Sequence, residues 1–199
     1  MDRLHPTDIQ VIPDRIETGT FLIAGALLGE ITVKDIEIDH LDTVLGKLKD
    51  VGCKISVGES SITLEPPDKI KPVDMTTAVY PGFPTDLQAQ WVALMSLADG
   101  SSTIKDTVYH DRFSHIPELA RLGANIQVNH NTAFVRGVDS LVGAPVMSTD
   151  IRASASLIIA GLAASGETEV SRVYHIDRGY ERIEEKFRHI GANISREHG

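Results

Sequence analysis

Apolar positions along the chain fall into two patterns, and each pattern recurs three times. The first is apolar or small on every face. It runs from Asp14 through Phe21, Leu22, Ile23, Ala24 and Leu27 to Gly29, and again from Asp86 through Trp91, Leu94, Met95 and Leu97 to Gly100. Its third copy runs from Asp150 through Ala153, Ala155, Ile158, Ile159 and Ala163 to Gly166. Such runs predict helices buried all round. The aspartate, or Thr85 or Thr149 before it, is the expected N-cap, and the glycine the expected stop. The second pattern is amphipathic. Leu41, Val44, Leu45 and Leu48 keep the i, i+3, i+4, i+7 spacing of a half-buried helix ending near Gly52. The stretches ending Leu119-Ala120-Arg121-Leu122-Gly123 and Phe187-Arg188-His189-Ile190-Gly191 match it.

Short β-branched runs fill the gaps between helices: Ile31–Val33, Ser102–Ile104 and Thr168–Val170 after the buried helices. Lys54–Val57, Asn125–Val128 and Asn193–Ser195 follow the amphipathic ones. Two repeats add a last strand, Ser61–Leu64 and Thr132–Val135, and the third does not. The unit helix, strand, helix, strand, strand therefore spans about 13–65, 80–137 and 147–199, with its terminal glycines almost evenly spaced. Three copies imply a pseudo-threefold α/β domain with the all-apolar helices inside and the sheets outside, the inverse of ordinary barrel layering. The missing last strand leaves a sheet edge open, so the chain is expected to be one piece of a longer protein.

Composition narrows the function. The chain carries 28 acidic against 19 basic residues, a net charge of −9, and only 5% aromatics. A nucleic-acid binder needs a basic face or stacking platforms, so that class is set aside. A small anionic ligand is not, since a few converging arginines make a local positive pocket. The single cysteine, Cys53, excludes an intrachain disulfide and a cysteine-based zinc site, and no histidine pair has HExxH spacing. Phosphate loops of the P-loop and dinucleotide types are absent. No run of eighteen apolar residues suggests a membrane span, and Met1–Pro6 lacks a signal-peptide pattern, so a cytoplasmic protein is expected.

Chemistry-bearing residues cluster where repeats begin and turn. Pro81-Gly82-Phe83-Pro84-Thr85-Asp86 sets a carboxylate behind two prolines, and both an N-cap and a positioned general base fit. Asp150-Ile151-Arg152 opens the third buried helix with a carboxylate and a guanidinium. Asp111-Arg112-Phe113 and Asp177-Arg178-Gly179-Tyr180 hold matching places before outer helices, where repeat one has His40 and Asp42. Each pair is either an aspartate cap with its own arginine partner or an anion-recognition element. By the repeat symmetry Arg112, Arg152 and Arg178 are expected to form one anion-binding surface. Gly179 is expected to take an unusual backbone conformation or to let a ligand approach closely. His110 and His175 read as surface or hydrogen-bonded residues, and Cys53 as a buried structural thiol.

The strings Ile12-Pro13-Asp14-Arg15-Ile16-Glu17-Thr18-Gly19-Thr20-Phe21, Phe83-Pro84-Thr85-Asp86-Leu87-Gln88-Ala89-Gln90, Asp150-Ile151-Arg152-Ala153-Ser154-Ala155-Ser156-Leu157 and His175-Ile176-Asp177-Arg178-Gly179-Tyr180-Glu181 resemble the UDP-N-acetylglucosamine 1-carboxyvinyltransferases. The resemblance runs in order from about residue 11 to the C-terminus. It implies an inverse α/β barrel of the enolpyruvyl transferase kind, with residues 1–12 crossing between domains and 13–199 forming one domain of two. It implies transfer of enolpyruvyl from phosphoenolpyruvate to the 3-hydroxyl of UDP-N-acetylglucosamine with release of phosphate, the first committed step of peptidoglycan synthesis. Neither a metal nor an organic cofactor is implied. The partner would be the missing N-terminal domain of the same enzyme.

Carried over by position, the resemblance makes Asp86 a contact of the sugar hydroxyl and the candidate general base. Val108 would meet the UDP-sugar through its backbone. Arg112 and Arg152 would face the phosphoenolpyruvate carboxylate, Arg178 would engage phosphoenolpyruvate on closure, and Asp150 would lie near the reacting centre. Two departures stand out. Tyr109-His110-Asp111-Arg112-Phe113 replaces a segment that reads Phe-Glu-Asn-Arg-Phe in familiar members, and the family's N-terminal lysine-asparagine pair, loop cysteine and neighbouring arginine have no counterpart. Two other readings stay open: a relative of the 5-enolpyruvylshikimate-3-phosphate synthases, and a non-catalytic substrate-binding module.

Overall fold

The computed structural model describes residues 5–197, so the readings placed on Met1–Leu4 and on Gly199 lie outside the described residues. Residues 5–14 are exposed and form neither helix nor strand. The three all-apolar runs become helices α1 (Arg15–Leu28), α3 (Gln88–Met95) and α5 (Ile151–Ala163). Every residue of α3 is buried, as is every residue from Ala153 to Ala160 in α5. The three pack against one another around the pseudo-threefold axis. The amphipathic runs become α2 (Asp42–Val51), α4 (Ile116–Arg121) and α6 (Ile183–His189). In α2 the buried face is Val44, Leu45, Leu48 and Val51, and Leu41 just before it is buried too. Gly52, at φ 112°, supplies the left-handed residue that ends α2.

Among the described residues, strands cover the helices in three sheets. In the first, β1 (Ile31–Lys34), β2 (Lys54–Val57) and β3 (Ser61–Glu65) lie in the order β1-β3-β2, all antiparallel. In the second, β4 (Met75–Thr76), β5 (Ser101–Lys105), β6 (Asn125–Asn129) and β7 (Thr132–Arg136) lie in the order β4-β5-β7-β6. The third is a parallel pair, β8 (Pro145–Met147) with β9 (Glu169–Ser171). Alternation in β3 and β7 points Ile62, Leu64, Ala133 and Val135 inward onto the helices. Buried helices inside sheets is the layering that the pattern implies, and no helix among the described residues is long and apolar enough to cross a membrane.

The structure departs from the expected unit in three places. Strands β4 and β8 precede α3 and α5 and pair parallel with the strands after them, a feature too short to show a period. Asn193–Ser195 is not a strand. In the first two repeats the equivalent strand pairs with the last strand of its unit (β2 with β3, β6 with β7), and repeat three has no such strand among the described residues. Helix α3 ends at Met95, not near Gly100, because the chain turns there: Ala98 N–H bonds Met95 O at 3.2 Å and Gly100 N–H bonds Ala98 O at 2.8 Å. Helix α5 likewise closes on Ala164, short of Gly166.

That turn after α3 is closed by Gly137, whose N–H bonds Gly100 O at 2.8 Å. A Cβ there would lie 1.8 Å from the carbonyl oxygen of Ala98, a backbone atom that cannot swing aside. Gly137→Ala is therefore expected to destabilise the fold by about 1–3 kcal/mol, the range for overpacking. Gly46→Ala, on open helix surface, is expected to stabilise by up to about 1 kcal/mol. Urea unfolding of the two variants reads both signs; equal midpoints would refute the packing argument.

Candidate functional site

Three aspartates open the three inner helices, and they do different things. Asp14 caps α1, its Oδ1 accepting the Ile16 N–H at 2.7 Å. Asp150 caps α5, its Oδ1 accepting the N–H groups of Arg152 at 2.8 Å and Ala153 at 3.0 Å. Asp86 caps nothing. It sits in a 3-10 turn, Thr85–Leu87, whose N-cap position is Pro84, and α3 starts after it. Its Oδ1 instead meets Arg112 Nη2 at 2.8 Å and Arg152 Nε at 3.4 Å. The N-cap reading of Asp86 is thereby excluded, and that of Thr85 with it.

Thr85 belongs to the buried support of the site. Its hydroxyl donates to Asp106 Oδ2 at 2.6 Å and accepts from Arg112 Nη1 at 3.1 Å. Asp106 is fully buried. Its Oδ1 also accepts the Thr77 hydroxyl at 2.7 Å and the N–H groups of Val108 at 2.9 Å and Tyr109 at 2.8 Å. Burial alone raises the Asp106 carboxyl, but the bonds from Thr85, Tyr109, Thr77 and Val108 outweigh it and hold it below the ordinary carboxylate range. One carboxylate thus fixes the turn after β5 and, through Thr85, the guanidinium of Arg112. Val108 lies exposed on that turn with its N–H already spent on Asp106.

Asp150 has a second partner. Ser114 donates to its Oδ2 at 3.1 Å, which ties the α4 approach to the start of α5. Burial raises this carboxyl too, and the Ala153 and Arg152 N–H groups, Ser114 and the charge of Arg112 lower it further than burial raises it. Beside it, His115 is 1% exposed and its Nε2 has no partner among the described residues. Burial pushes the imidazole down to about 4, against the pull of Asp150, so it is neutral.

The arginines do not pair with the aspartates beside them. Arg112 turns to Asp86, not Asp111. Asp177 is held by Arg196 at 2.6 Å and not by Arg178, and that hydrogen bond lowers its carboxyl. Arg178 is exposed at the end of the 3-10 turn Val173–Arg178, without an ion pair among the described residues. Two of the three expected guanidinium groups therefore converge on one carboxylate; the turn that carries Arg178 packs against α5, but no hydrogen bond or ion pair among the described residues ties Arg178 to them. Gly179 does not take the unusual backbone conformation that was one of its two expected roles. Its φ is −138°, open to any residue. What it permits is close packing against the protein, since a Cβ would lie 2.8 Å from Ile151 and 3.7 Å from Arg152 Nη1.

His110 is exposed, and His175 stacks on Tyr174 with ring centroids 4.3 Å apart. Cys53 is buried, and burial pushes its thiol up to about 11, as befits a packing residue. Asp106, Ser114 and Tyr180 escaped the sequence reading. A usable signal for Asp106 was a carboxylate straight after the strand Ser101–Lys105, where a β-branched run must turn.

Residues 1–187 match the family described as EPSP synthase (3-phosphoshikimate 1-carboxyvinyltransferase). A UDP-N-acetylglucosamine 1-carboxyvinyltransferase of Prosthecochloris aestuarii is 56% identical over 98% of this chain and 46% of its own length. One of Myxococcus xanthus is 50% identical over 99% of the chain and 47% of its own length. The chain thus spans about half the length of the curated relatives it matches. The enolpyruvyl transferase NikO of Streptomyces tendae superposes with a TM-score of 0.84 at 32% identity, over 94% of this chain and 45% of that one. EPSP synthase of Acinetobacter baumannii, at 17% identity and a TM-score of 0.70 over 95% and 45%, shares the fold.

Asp106 and Asp150 have folded-state pKa values below their unfolded ones. Their contribution to stability is present above the unfolded value of about 4 and is lost as pH falls through the lower folded values. Asp106→Asn keeps the shape and removes the titration. Urea midpoints measured from pH 6 downward should fall less steeply for the variant than for the parent; parallel acid limbs would show that Asp106 is not held ionised.

Proposed function

Since the chain belongs to the EPSP synthase (3-phosphoshikimate 1-carboxyvinyltransferase) family, we propose that it is the C-terminal half of a UDP-N-acetylglucosamine 1-carboxyvinyltransferase. The observation that carries this is the meeting of Arg112 and Arg152 on Asp86 beside the starts of α3 and α5. Two guanidinium groups with an acceptor between them suit a ligand bearing a carboxylate and a phosphate, which phosphoenolpyruvate is. The acceptor is read as UDP-N-acetylglucosamine because relatives at 50–56% identity carry that name, whereas the EPSP synthase likeness is at 17%. On this proposal the protein works in the cytoplasm, at the first committed step of peptidoglycan synthesis.

In this reading Asp86 neutralises Arg112 and Arg152 until the carboxylate of phosphoenolpyruvate takes its place. The displaced Asp86 then accepts the proton of the sugar 3-hydroxyl as that oxygen bonds to C2 of phosphoenolpyruvate, while C3 takes a proton from a general acid supplied by the other half of the enzyme. Breaking the C2–O bond to phosphate, with a proton from C3 returned to that same acid, restores the double bond and releases inorganic phosphate. Arg178 closes over the anion from the 3-10 turn, and Asp150 holds the start of α5, and with it the backbone of Arg152, in place. The Val108 turn, pinned by Asp106, offers its carbonyl to the UDP-sugar. The remaining contacts fall to the part of the enzyme that corresponds to the other half of the relatives.

Phosphate release from phosphoenolpyruvate with UDP-N-acetylglucosamine tests the reading. The chain alone should release none. Joined behind the N-terminal part of the Prosthecochloris aestuarii relative it should turn over, and Asp86→Asn in that fusion should lower turnover by about 10²-fold, the scale of general-base loss. Near-normal turnover of a folded Asp86→Asn protein would remove Asp86 as the base. Preference for shikimate 3-phosphate over the UDP-sugar would move the chain to the other branch of the family.

A further inference from the structure

A polar cluster lies inside the core behind Arg152, and each of the three repeats contributes to it. Thr20 comes from α1, Gln90 from α3, and Tyr180 from the segment before α6. Thr20 and Gln90 are fully buried and Tyr180 is 1% exposed. The Thr20 hydroxyl lies 2.8 Å from the Tyr180 hydroxyl, and Gln90 Nε2 lies 3.1 Å from Thr20 Oγ1 and 3.3 Å from the Tyr180 oxygen. Arg152 Nη1 reaches the same phenol oxygen at 3.3 Å, and the guanidinium sits 5.7 Å from the ring centroid.

The direction of each bond follows from the supply of hydrogens. A threonine hydroxyl has one, and Thr20 gives it to Ile16 O at 2.9 Å. Tyr180 must therefore donate to Thr20. Both lone pairs of the phenol oxygen are then left to accept, one from Gln90 and one from Arg152. Gln90 supplies its two amide hydrogens to the two hydroxyls. Burial, the largest influence on this phenol, keeps it protonated by raising its pKa above the ordinary value. Arg152 is thus held from two sides, at Nε by Asp86 and at Nη1 by Tyr180. Its Nη2 has no hydrogen-bond partner among the described residues.

We propose that Tyr180 is a positioning residue for Arg152: its phenol oxygen, ordered by Thr20 and Gln90, sets the guanidinium so that Nη2 is presented to the substrate anion. This deepens the transferase reading and rests on it. Asp86 is exchangeable, because it yields to substrate, whereas Tyr180 is not, so the orientation of Arg152 persists after Asp86 lets go. Gly179 takes part by allowing the backbone to approach Ile151 and Arg152 closely enough for the phenol to reach.

Tyr180→Phe removes one oxygen and keeps the ring. In the fusion enzyme it should raise the phosphoenolpyruvate KM by about three- to tenfold, the worth of one hydrogen bond, with the UDP-N-acetylglucosamine KM unchanged. Thr20→Ser keeps the hydroxyl and should behave as the parent, while Thr20→Val should shift the phosphoenolpyruvate KM in the same direction as Tyr180→Phe. A second readout needs no turnover. In the 199-residue chain, the side-chain Nε–H resonance of Arg152 should show faster exchange with water and faster guanidinium rotation in Tyr180→Phe than in the parent. An unchanged Arg152 resonance, or equal changes in both KM values, overturns the positioning role. Absence of turnover in the parent fusion, with the Arg152 resonance still responding, would sink the transferase reading and leave the positioning role standing.

Discussion

Three helices buried on every side set the terms for the rest of this molecule. Water does not reach their flanks; the Gln88 side chain and Gln90 Oε1 on α3 lack partners among the described residues, and other polar groups on these helices find a partner within the protein or sit at a helix end. The caps of α1 and α5 obey this, as do the serine and threonine hydroxyls that bond carbonyls one turn back, Thr20 to Ile16 and Ser96 to Val92. The same constraint gathers the charged chemistry at one place. A guanidinium cannot lie along α5, but from its first turn Arg152 reaches Asp86 and Tyr180, which receive it.

Repetition of the backbone contrasts with divergence of the side chains. Asp14, Asp86 and Asp150 stand at equivalent helix starts, and two of them spend their carboxylates on backbone N–H groups. The 3-10 turn at Thr85–Leu87 withholds that use from Asp86, because it displaces the helix start beyond the carboxylate. Freed from the backbone, the carboxylate becomes a counter-ion for two arginines. A local change in winding thus separates a structural aspartate from one available to chemistry.

How much of this the sequence disclosed depends on the length of each signal. The inner helices were legible because eight or more consecutive buried positions leave no other reading, and the outer ones because glycine ends them. Strands β4 and β8, of two and three residues, carry no period and were invisible. Asn193–Ser195 has the composition of a strand but no strand to pair with among the described residues, and pairing is a tertiary fact that composition does not hold. In the site, Asp86, Arg112 and Arg152 were readable as charges at repeat starts, although their mutual pairing was not. Arg112 and Arg178 look alike in sequence, and the structure separates them: one is half-buried on Asp86, the other exposed. The supporting residues left fainter marks. Gln90 is a polar residue in a helix otherwise buried and apolar, which is itself a sign that something in the core must meet it.

The cluster of Thr20, Gln90 and Tyr180 has a consequence for how the chain comes together. Of the three contributing segments, a ribosome delivers α1 before α3 and the segment around Tyr180 after both. Until that last segment docks, two buried side chains in the first two repeats face each other without the phenol that accepts and donates between them. The early repeats can collapse, but their interior stays incompletely satisfied, and Arg152 has nothing behind it. Docking of Tyr180 gives Thr20, Gln90 and Arg152 their shared partner in one event. The third repeat therefore acts as a keystone, and the set of the Arg152 guanidinium is a property that only the finished arch possesses.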